Sequence, residues 1–314
     1  RVRWNNVAGL NQRLSLLAKR GTNAENDRGD TTKFSLDYDY PLVMGTRWGF
    51  SSSINISRTP TEEELRGSDV EVDANERSNR VSFRLSRQLD SGIKGWGVGA
   101  GLAYWDFQLE PTSDFDSNDL ETGSGKAFSV RLSLGNNEVK DYGYSRGGWR
   151  FSSQVEHSIP GGGSDYFNFW RLSAKGARFI QVGERDEHRR IVLRAGLGAF
   201  NGGPRNWEEF SIGGSSNNRG FSKSVDEGNF TYSASVEYLQ PIFGKKSLRG
   251  LLLLDASQIY NETDETNSEE PLISLGIGIR WRIQSFVNTE LDLVLAYGLQ
   301  DGSLRGTGGT NKGD

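Results

Sequence analysis

An all-β chain folded as a transmembrane antiparallel β-barrel is what this 314-residue sequence predicts. Three observations predict it. Polar and apolar residues alternate with a period of two along much of the chain, which gives each strand one apolar and one polar face. Many of these stretches run to about ten residues, close to the ~9–11 that a tilted strand needs to cross a bilayer. The connections alternate between short and long, as they do in outer-membrane barrels.

Thirteen strands are readable in order. The first covers 13–20 and is followed by a long polar loop, 21–32. In the second, "KFSLDYDY" (Lys33–Tyr40), Phe34, Leu36, Tyr38 and Tyr40 alternate with Lys33, Ser35, Asp37 and Asp39. The short turn "PLVMGT" leads to the third, 47–58, and a long acidic loop, 59–78, to the fourth, 79–89. There "RVSFRLS" sets Val81, Phe83 and Leu85 against Arg80, Ser82 and Arg84. "DSGIKG" turns the chain into the fifth, 96–108, and 109–125 loops to the sixth, 126–135, with its alternating "AFSVRLSLG". The seventh, eighth and ninth read over 149–158, 168–179 and 189–200, joined by "PGGGSDY" and by 180–188. The longest connection, 201–228, precedes the tenth, 229–241, which carries "FTYSASVEY". Short "FGKKS" opens the eleventh, 249–260; an acidic loop, 261–271, opens the twelfth, 272–283, with "ISLGIGIRW"; short "QSFVN" opens the thirteenth, 288–299. The closing "DGSLRGTGGTNKGD" reads as a flexible tail. No comparably clear helical pattern appears.

Composition agrees once the fold is considered. Hydrophobic residues are 34% and charged residues 25%, with a mean hydropathy of −0.60, which on its face describes a polar protein with a thin core. Yet aromatics are 11% against only 7 prolines, the opposite of a disordered chain. A net charge of −4 does not point to nucleic acid. With no cysteine there is no disulfide, zinc–thiolate or cysteine nucleophile, and His157 and His188 are too few and too distant for a histidine metal site or a serine–histidine triad. No catalytic residue, metal or cofactor is expected. No run approaches the ~18 apolar residues of a membrane helix. No leader opens the chain at Arg1, as in a mature or truncated chain.

A soluble sandwich also alternates, but its apolar faces must meet in one dry core. Here the polar faces carry Arg80, Arg84, Arg131, Arg150, Arg171, Lys175, Arg194, Glu237, Arg280, Arg282, Glu290 and Asp292. The apolar faces carry aromatics near strand ends: Trp48, Trp96, Tyr104, Trp149, Phe230, Tyr238, Trp281 and Tyr297. Aromatic girdles around a charged lumen fit a membrane barrel, whereas soluble barrels fill their interiors with apolar side chains. An open sheet would leave unpaired backbone groups in lipid. Thirteen is an odd count, and single-chain bacterial barrels are even, so edge strands are expected to be missing from the chain.

"FSIGGSSNNRGF" followed by "EGNFTYSASVEYLQPIF" resembles the surface-antigen barrel of the BamA/TamA-type outer-membrane assembly superfamily. That family carries a Gly-Gly and then a Val-Arg-Gly-Phe/Tyr motif in a long loop, followed by a strand bearing a Glu. "LRGLLLLDASQIY", "LISLGIGIRWRI" and "TELDLVLAYGL" resemble its next strands, and "FSLDYDYPLVMGTRWGFSSSINISRT" its early ones. The likeness covers nearly the whole chain and is strongest over 207–299. It implies one barrel domain over 1–314, of sixteen strands, with the first strand, most of the second and the last absent; Arg1–Trp4 reads as a stump of the second. The family's periplasmic POTRA domains are not in this sequence.

The resemblance also implies a site. The loop 201–228 folds into the lumen, and Arg219 meets Glu237 and Asp255 on the strands that follow. Alternation independently puts Glu237 on a polar face, and a lipid-facing Asp255 would be costly. On the residues alone, Arg219 reads instead as a solvated loop charge. Gly213, Gly214 and Gly220 would supply positive φ or close backbone approach, and Phe221 either an apolar foothold or an incidental loop aromatic. Asn218 stands where the family has Val, Leu253 where it has Phe and Ser257 where it has Gly, which leaves the subfamily open; Asn218 in place of Val leaves the loop readable as a latch or as a gate.

Weaker candidates are Asp69, Glu71, Asp73, Glu76 and the acidic run 261–270 as a calcium site, against a solvated loop. Glu208 and Glu209 are lumen acids or loop surface. "GGGSDY" (161–166) is a tight turn. The function implied is a non-enzymatic outer-membrane barrel that assists insertion or translocation of client proteins. The partners would be outer-membrane lipids, client outer-membrane or secreted proteins and periplasmic or lipoprotein partners, with no nucleic acid. The alternatives are a two-partner secretion pore, the membrane anchor of a fused patatin-like lipase, and a passive porin.

Overall fold

The computed structural model describes residues 2–7, 11–22, 30–64, 71–90, 94–111, 124–142, 146–159, 166–184, 187–202, 210–222, 226–260, 271–283, 289–300 and 304–312. The strands are β1 (Val2–Val7), β2 (Gln12–Thr22), β3 (Asp30–Tyr40), β4 (Trp48–Glu64), β5 (Glu71–Gln88), β6 (Gly95–Pro111) and β7 (Gly125–Asn137). They continue with β8 (Lys140–Asp141), β9 (Arg146–Ile159), β10 (Phe169–Val182), β11 (Arg189–Gly202), β12 (Phe210–Ile212) and β13 (Asp226–Gly228). The last are β14 (Phe230–Ile242), β15 (Lys245–Tyr260), β16 (Leu272–Ile283), β17 (Thr289–Gly298) and β18 (Leu304–Lys312). One antiparallel sheet holds them in chain order, with β8 paired to β9 and with β12 and β13 forming a separate two-stranded hairpin.

All thirteen expected strands are present. Two further ones flank them: β1, where Arg1–Trp4 was expected as a stump, pairs with β2, and the tail expected to be flexible, with the last strand absent, is corrected to β18, paired with β17 from Tyr297↔Leu304 to Thr289↔Lys312. Their sequences hide them. β1 lacks alternation and is bent by a bulge between Asn5 and Val7, with Asn6 at φ 59°. β18 carries three glycines, so the backbone of β17, and no side-chain pattern of its own, gives it a place to pair.

The chain divides into two compact units, Arg1–Leu134, Gln154–Arg171 and Asn201–Glu208 in one, and Gly135–Ser153, Leu172–Phe200 and Glu209–Asp314 in the other. In the first, β4 and β5 pair from Trp48↔Arg87 to Glu64↔Glu71. At 17 and 18 residues they exceed the ~9–11 that crosses a bilayer. Val81, Phe83 and Leu85 take one face of β5 and Arg80, Ser82 and Arg84 the other. Phe83 is 53% exposed although it lies mid-strand. Trp105, Phe107 and Leu109 share the face of Arg80 and are buried.

The second unit repeats the arrangement. Leu252, Ile277 and Leu293 are exposed in the middle of long strands, Ile277 at 59%. Apolar side chains exposed so regularly on one face of a sheet need a partner other than water. The opposite face is not uniformly polar, as the charged residues alone suggest. Leu251, Leu253, Val192, Leu239, Phe179 and Val294 form a buried cluster on it. The run Leu251–Leu254 therefore serves both faces, which is why it breaks the alternation.

Candidate functional site

The long connection returns toward the sheet through local pieces of its own. β12 pairs with β13, and a four-residue helix, α1 (Gly214–Asn217), caps the excursion. Gly213 and Gly214 have φ of 98° and 74°, a backbone that side-chain-bearing residues rarely adopt. The turn delivers Asn218, Arg219, Gly220 and Phe221 against β14, β15, β16 and β17.

Arg219 binds Asp255 through a fork, Nε to Oδ2 at 2.8 Å and Nη2 to Oδ1 at 2.7 Å, and its backbone N–H donates to Oδ2 at 3.1 Å. Nη1 donates to Glu237 Oε1 at 2.5 Å and Nη2 to Ser235 Oγ at 3.0 Å. Both carboxylates are 1% exposed. The bidentate charge-assisted geometry is the strong form of this contact. Burial opposes the guanidinium charge, but the hydrogen bonds it donates to Asp255 and the charges of Glu237 and Asp255 outweigh it and hold Arg219 above its ordinary range. On the residues alone it was a solvated loop charge; the structure instead brings it together with both acids.

Glu237 also accepts from Arg194 at 2.7 Å and Arg280 at 3.2 Å. Arg280 forks onto Asp292 at 2.6 and 3.0 Å, and Glu290 bridges Arg280 and Arg249. Arg194, Arg219, Arg249 and Arg280 thus face Glu237, Asp255, Glu290 and Asp292 in one connected, charge-balanced network. Such a network satisfies its members only as a whole.

Gly220 packs where nothing larger fits. A Cβ there would lie 2.4 Å from Ser274 Cβ and 2.8 Å from the backbone N of Gly298. Phe221 is buried, and its carbonyl accepts from Gly214 N–H at 3.0 Å, closing the turn. Asn218 is buried too. Its Nδ2 donates to Ser257 Oγ at 3.0 Å and to the Leu272 carbonyl at 2.8 Å, while Ser274 Oγ donates to its Oδ1 at 2.7 Å. Its carboxamide is anchored at both ends. The departures at Asn218 and Ser257 were both visible in the sequence; that they touch was not.

A third buried acid escaped the sequence reading. Glu156, in the first unit, accepts from Ser129 Oγ at 2.6 Å, Trp105 Nε1 at 3.3 Å, Arg131 Nη2 at 2.8 Å and Arg80 Nη2 at 3.4 Å. Arg80 lies 3.5 Å over the Trp105 ring. An acid among polar-face arginines was the available signal.

Among the described residues no group of three or more His, Cys, Asp or Glu is placed to hold a metal ion. Asp69, the side chain of Glu71, the run 261–270, Glu208, Glu209 and residues 161–165 lie outside the described residues. Asp73 and Glu76 lie on β5.

A sheet with one exposed apolar face, aromatics toward its strand ends and an ion-paired opposite face defines an outer-membrane β-barrel. The profile of the Omp85 superfamily domain matches residues 6–296, and the chain belongs to that superfamily, whose barrels reside in the bacterial outer membrane. Its fold is that of BamA from Haemophilus ducreyi lacking POTRA domains 1–3, with a TM-score of 0.71 at 16% identity over 98% of this chain and 66% of that one. CdiB from Acinetobacter baumannii matches with a TM-score of 0.68 at 16% identity over 98% of this chain and 55% of its own. CdiB from Escherichia coli matches with 0.68 at 17% identity over 95% and 54%. The chain therefore spans between about half and two thirds of these structures. Comparison with curated proteins gave no match.

Proposed function

We propose that this protein is a non-enzymatic outer-membrane barrel that assists insertion or translocation of client proteins. In this reading the chain is a single barrel domain over 1–314, and the loop 201–228 is folded into its lumen, anchored by Arg219 on Glu237 and Asp255. The observation that carries it is that fork. A passive pore has no need of a buried arginine–acid lock on its longest loop. The mechanism is a barrel whose loop holds the wall in one arrangement while an edge strand templates a client strand by β-augmentation. Clients would be outer-membrane or secreted proteins, with periplasmic or lipoprotein partners delivering them.

A two-partner secretion pore, with the loop as a movable plug, is the second reading. The fold likeness to the two CdiB structures, nearly as close as that to BamA, favours it. The two readings separate in vesicles bearing the folded protein. On the first, an unfolded outer-membrane barrel added outside inserts faster than into empty vesicles, read as heat-modifiable folded bands on a gel, and Arg219→Ala slows it. On the second, a non-barrel passenger becomes protease-protected inside the vesicles and barrel insertion is not accelerated. If neither occurs, both readings fail.

A further inference from the structure

The turn between β14 and β15 carries a residue that its backbone disfavours. Ile242 pairs with Lys245, so Phe243 and Gly244 are the two central residues of a tight hairpin. Both have positive φ, 52° and 66°. Positive φ at both positions is the twist-matched form of such turns, usually filled by Asn-Gly. Gly244 suits it. A bulky aromatic in the left-handed region is an outlier, set there by the clash of its Cβ with the following carbonyl. Nor is Phe243 repaid by packing. It is 84% exposed, more than any other described large hydrophobic side chain. A residue that is strained and also unburied points to a partner outside the chain.

The surroundings say which partner. Lys245 and Lys246 follow, both exposed. Leu248 lies opposite Trp281 in the β15–β16 register, and Trp281 is on the exposed apolar face. By alternation Leu248, Leu252 and Leu254 share that face, and Lys246 lies just beyond it in the irregular step between the turn and the regular ladder. Phe243 and the two lysines therefore close the end of the lipid-facing stripe. In outer-membrane barrels, aromatic rings at the edge of the apolar band meet the boundary of acyl chains and headgroups. Lysine stems can follow apolar surface while their ammonium groups reach the phosphates.

We infer that the turn Phe243–Lys246 is a phospholipid anchor, with Phe243 inserted at the headgroup boundary of the leaflet at the turn end of the barrel and Lys245 and Lys246 held on the phosphates of anionic lipids. Insertion supplies the burial that the protein itself withholds from Phe243. The anchor ties the β14–β15 hairpin, which carries Glu237 and Asp255, to the bilayer surface.

The chain has no cysteine, so a nitroxide on Phe243→Cys is a unique probe. In vesicles containing phosphatidylglycerol it is expected to collide more with dissolved oxygen than with a water-soluble nickel chelate. A label open to the chelate overturns the anchor and makes the turn a site for a soluble partner. Phe243→Trp keeps the ring, and its added fluorescence is expected to be quenched by lipids brominated near the headgroup. Lys245→Gln with Lys246→Gln in that background is expected to reduce the quenching with phosphatidylglycerol but not with phosphatidylcholine. Equal loss in both lipids, or none in either, overturns the role of the lysines.

Discussion

Asn218 donates to the hydroxyl of Ser257 at 3.0 Å, so two positions that depart from the family pattern meet in one buried contact. Val and Gly would leave an apolar contact there. Asn and Ser make a polar one, completed by Ser274 and the Leu272 carbonyl.

Restoring one family residue alone is therefore expected to weaken the fold. Asn218→Val leaves Ser257, Ser274 and the Leu272 carbonyl without this partner, at about 1–3 kcal/mol for each buried group left unpaired. The folded band in a heat-modifiability gel should melt at lower temperature. Asn218→Val with Ser257→Gly is expected to lose less than the sum of the two single changes. Strict additivity would mean the pair is uncoupled.

Arg219→Ala removes one partner from two carboxylates that remain buried. Breaking a buried pair in this way costs roughly 3–5 kcal/mol. The loop is expected to become protease-sensitive and the gel-shift midpoint to fall, with Arg219→Lys in between because it keeps the charge and loses the fork. An unchanged midpoint would count against the lock.

Charge reversal tests the contact itself. Arg219→Asp and Asp255→Arg are each expected to lower the midpoint, and the double change to recover part of the loss. Recovery stays incomplete because Arg219 also holds Glu237. Damage that simply adds would show that the two residues do not meet in the membrane.

Gly220→Ala leaves every charge in place. Its Cβ would fall 2.4 Å from Ser274 Cβ and 3.0 Å from the Tyr297 carbonyl carbon, so the loop must lift and drag Arg219 off Asp255. Proteolysis of the loop is expected to approach that of Arg219→Ala. Protection equal to the unaltered chain would mean that the strands yield instead.

Glu156→Gln keeps the shape of the third buried acid and removes its charge. Arg80 and Arg131 then lose their shared anion, and a cost of about 1–3 kcal/mol is expected. Trp105, which donates to Glu156 and lies under Arg80, should change its fluorescence. A spectrum and midpoint like those of the parent would remove this cluster from the stabilising contacts.

Much of the fold was legible because a strand between lipid and a polar interior must alternate, and alternation is local. Thirteen strands follow from it, as does the inward placing of Glu237. It failed where the rule does not hold. Leu251–Leu254 is apolar on both faces because a buried cluster lines the inner wall there. β18 has too many glycines to show a pattern and takes its place from β17.

The site divides along the same line. The sequence by itself determined the acids on their strands, the glycines of the loop and, through family likeness, the arginine between them. That Arg219, 36 residues from Asp255 and 18 from Glu237, reaches both was implied by the likeness and not by periodicity; the tertiary structure supplied the fork that makes the contact. It alone placed Asn218 on Ser257 and gathered four arginines and four acids into one network. Those pairings depend on how far the loop travels and which strands lie beside one another. Periodicity carries no information about either, because it records only which face a residue takes and not what comes to meet it.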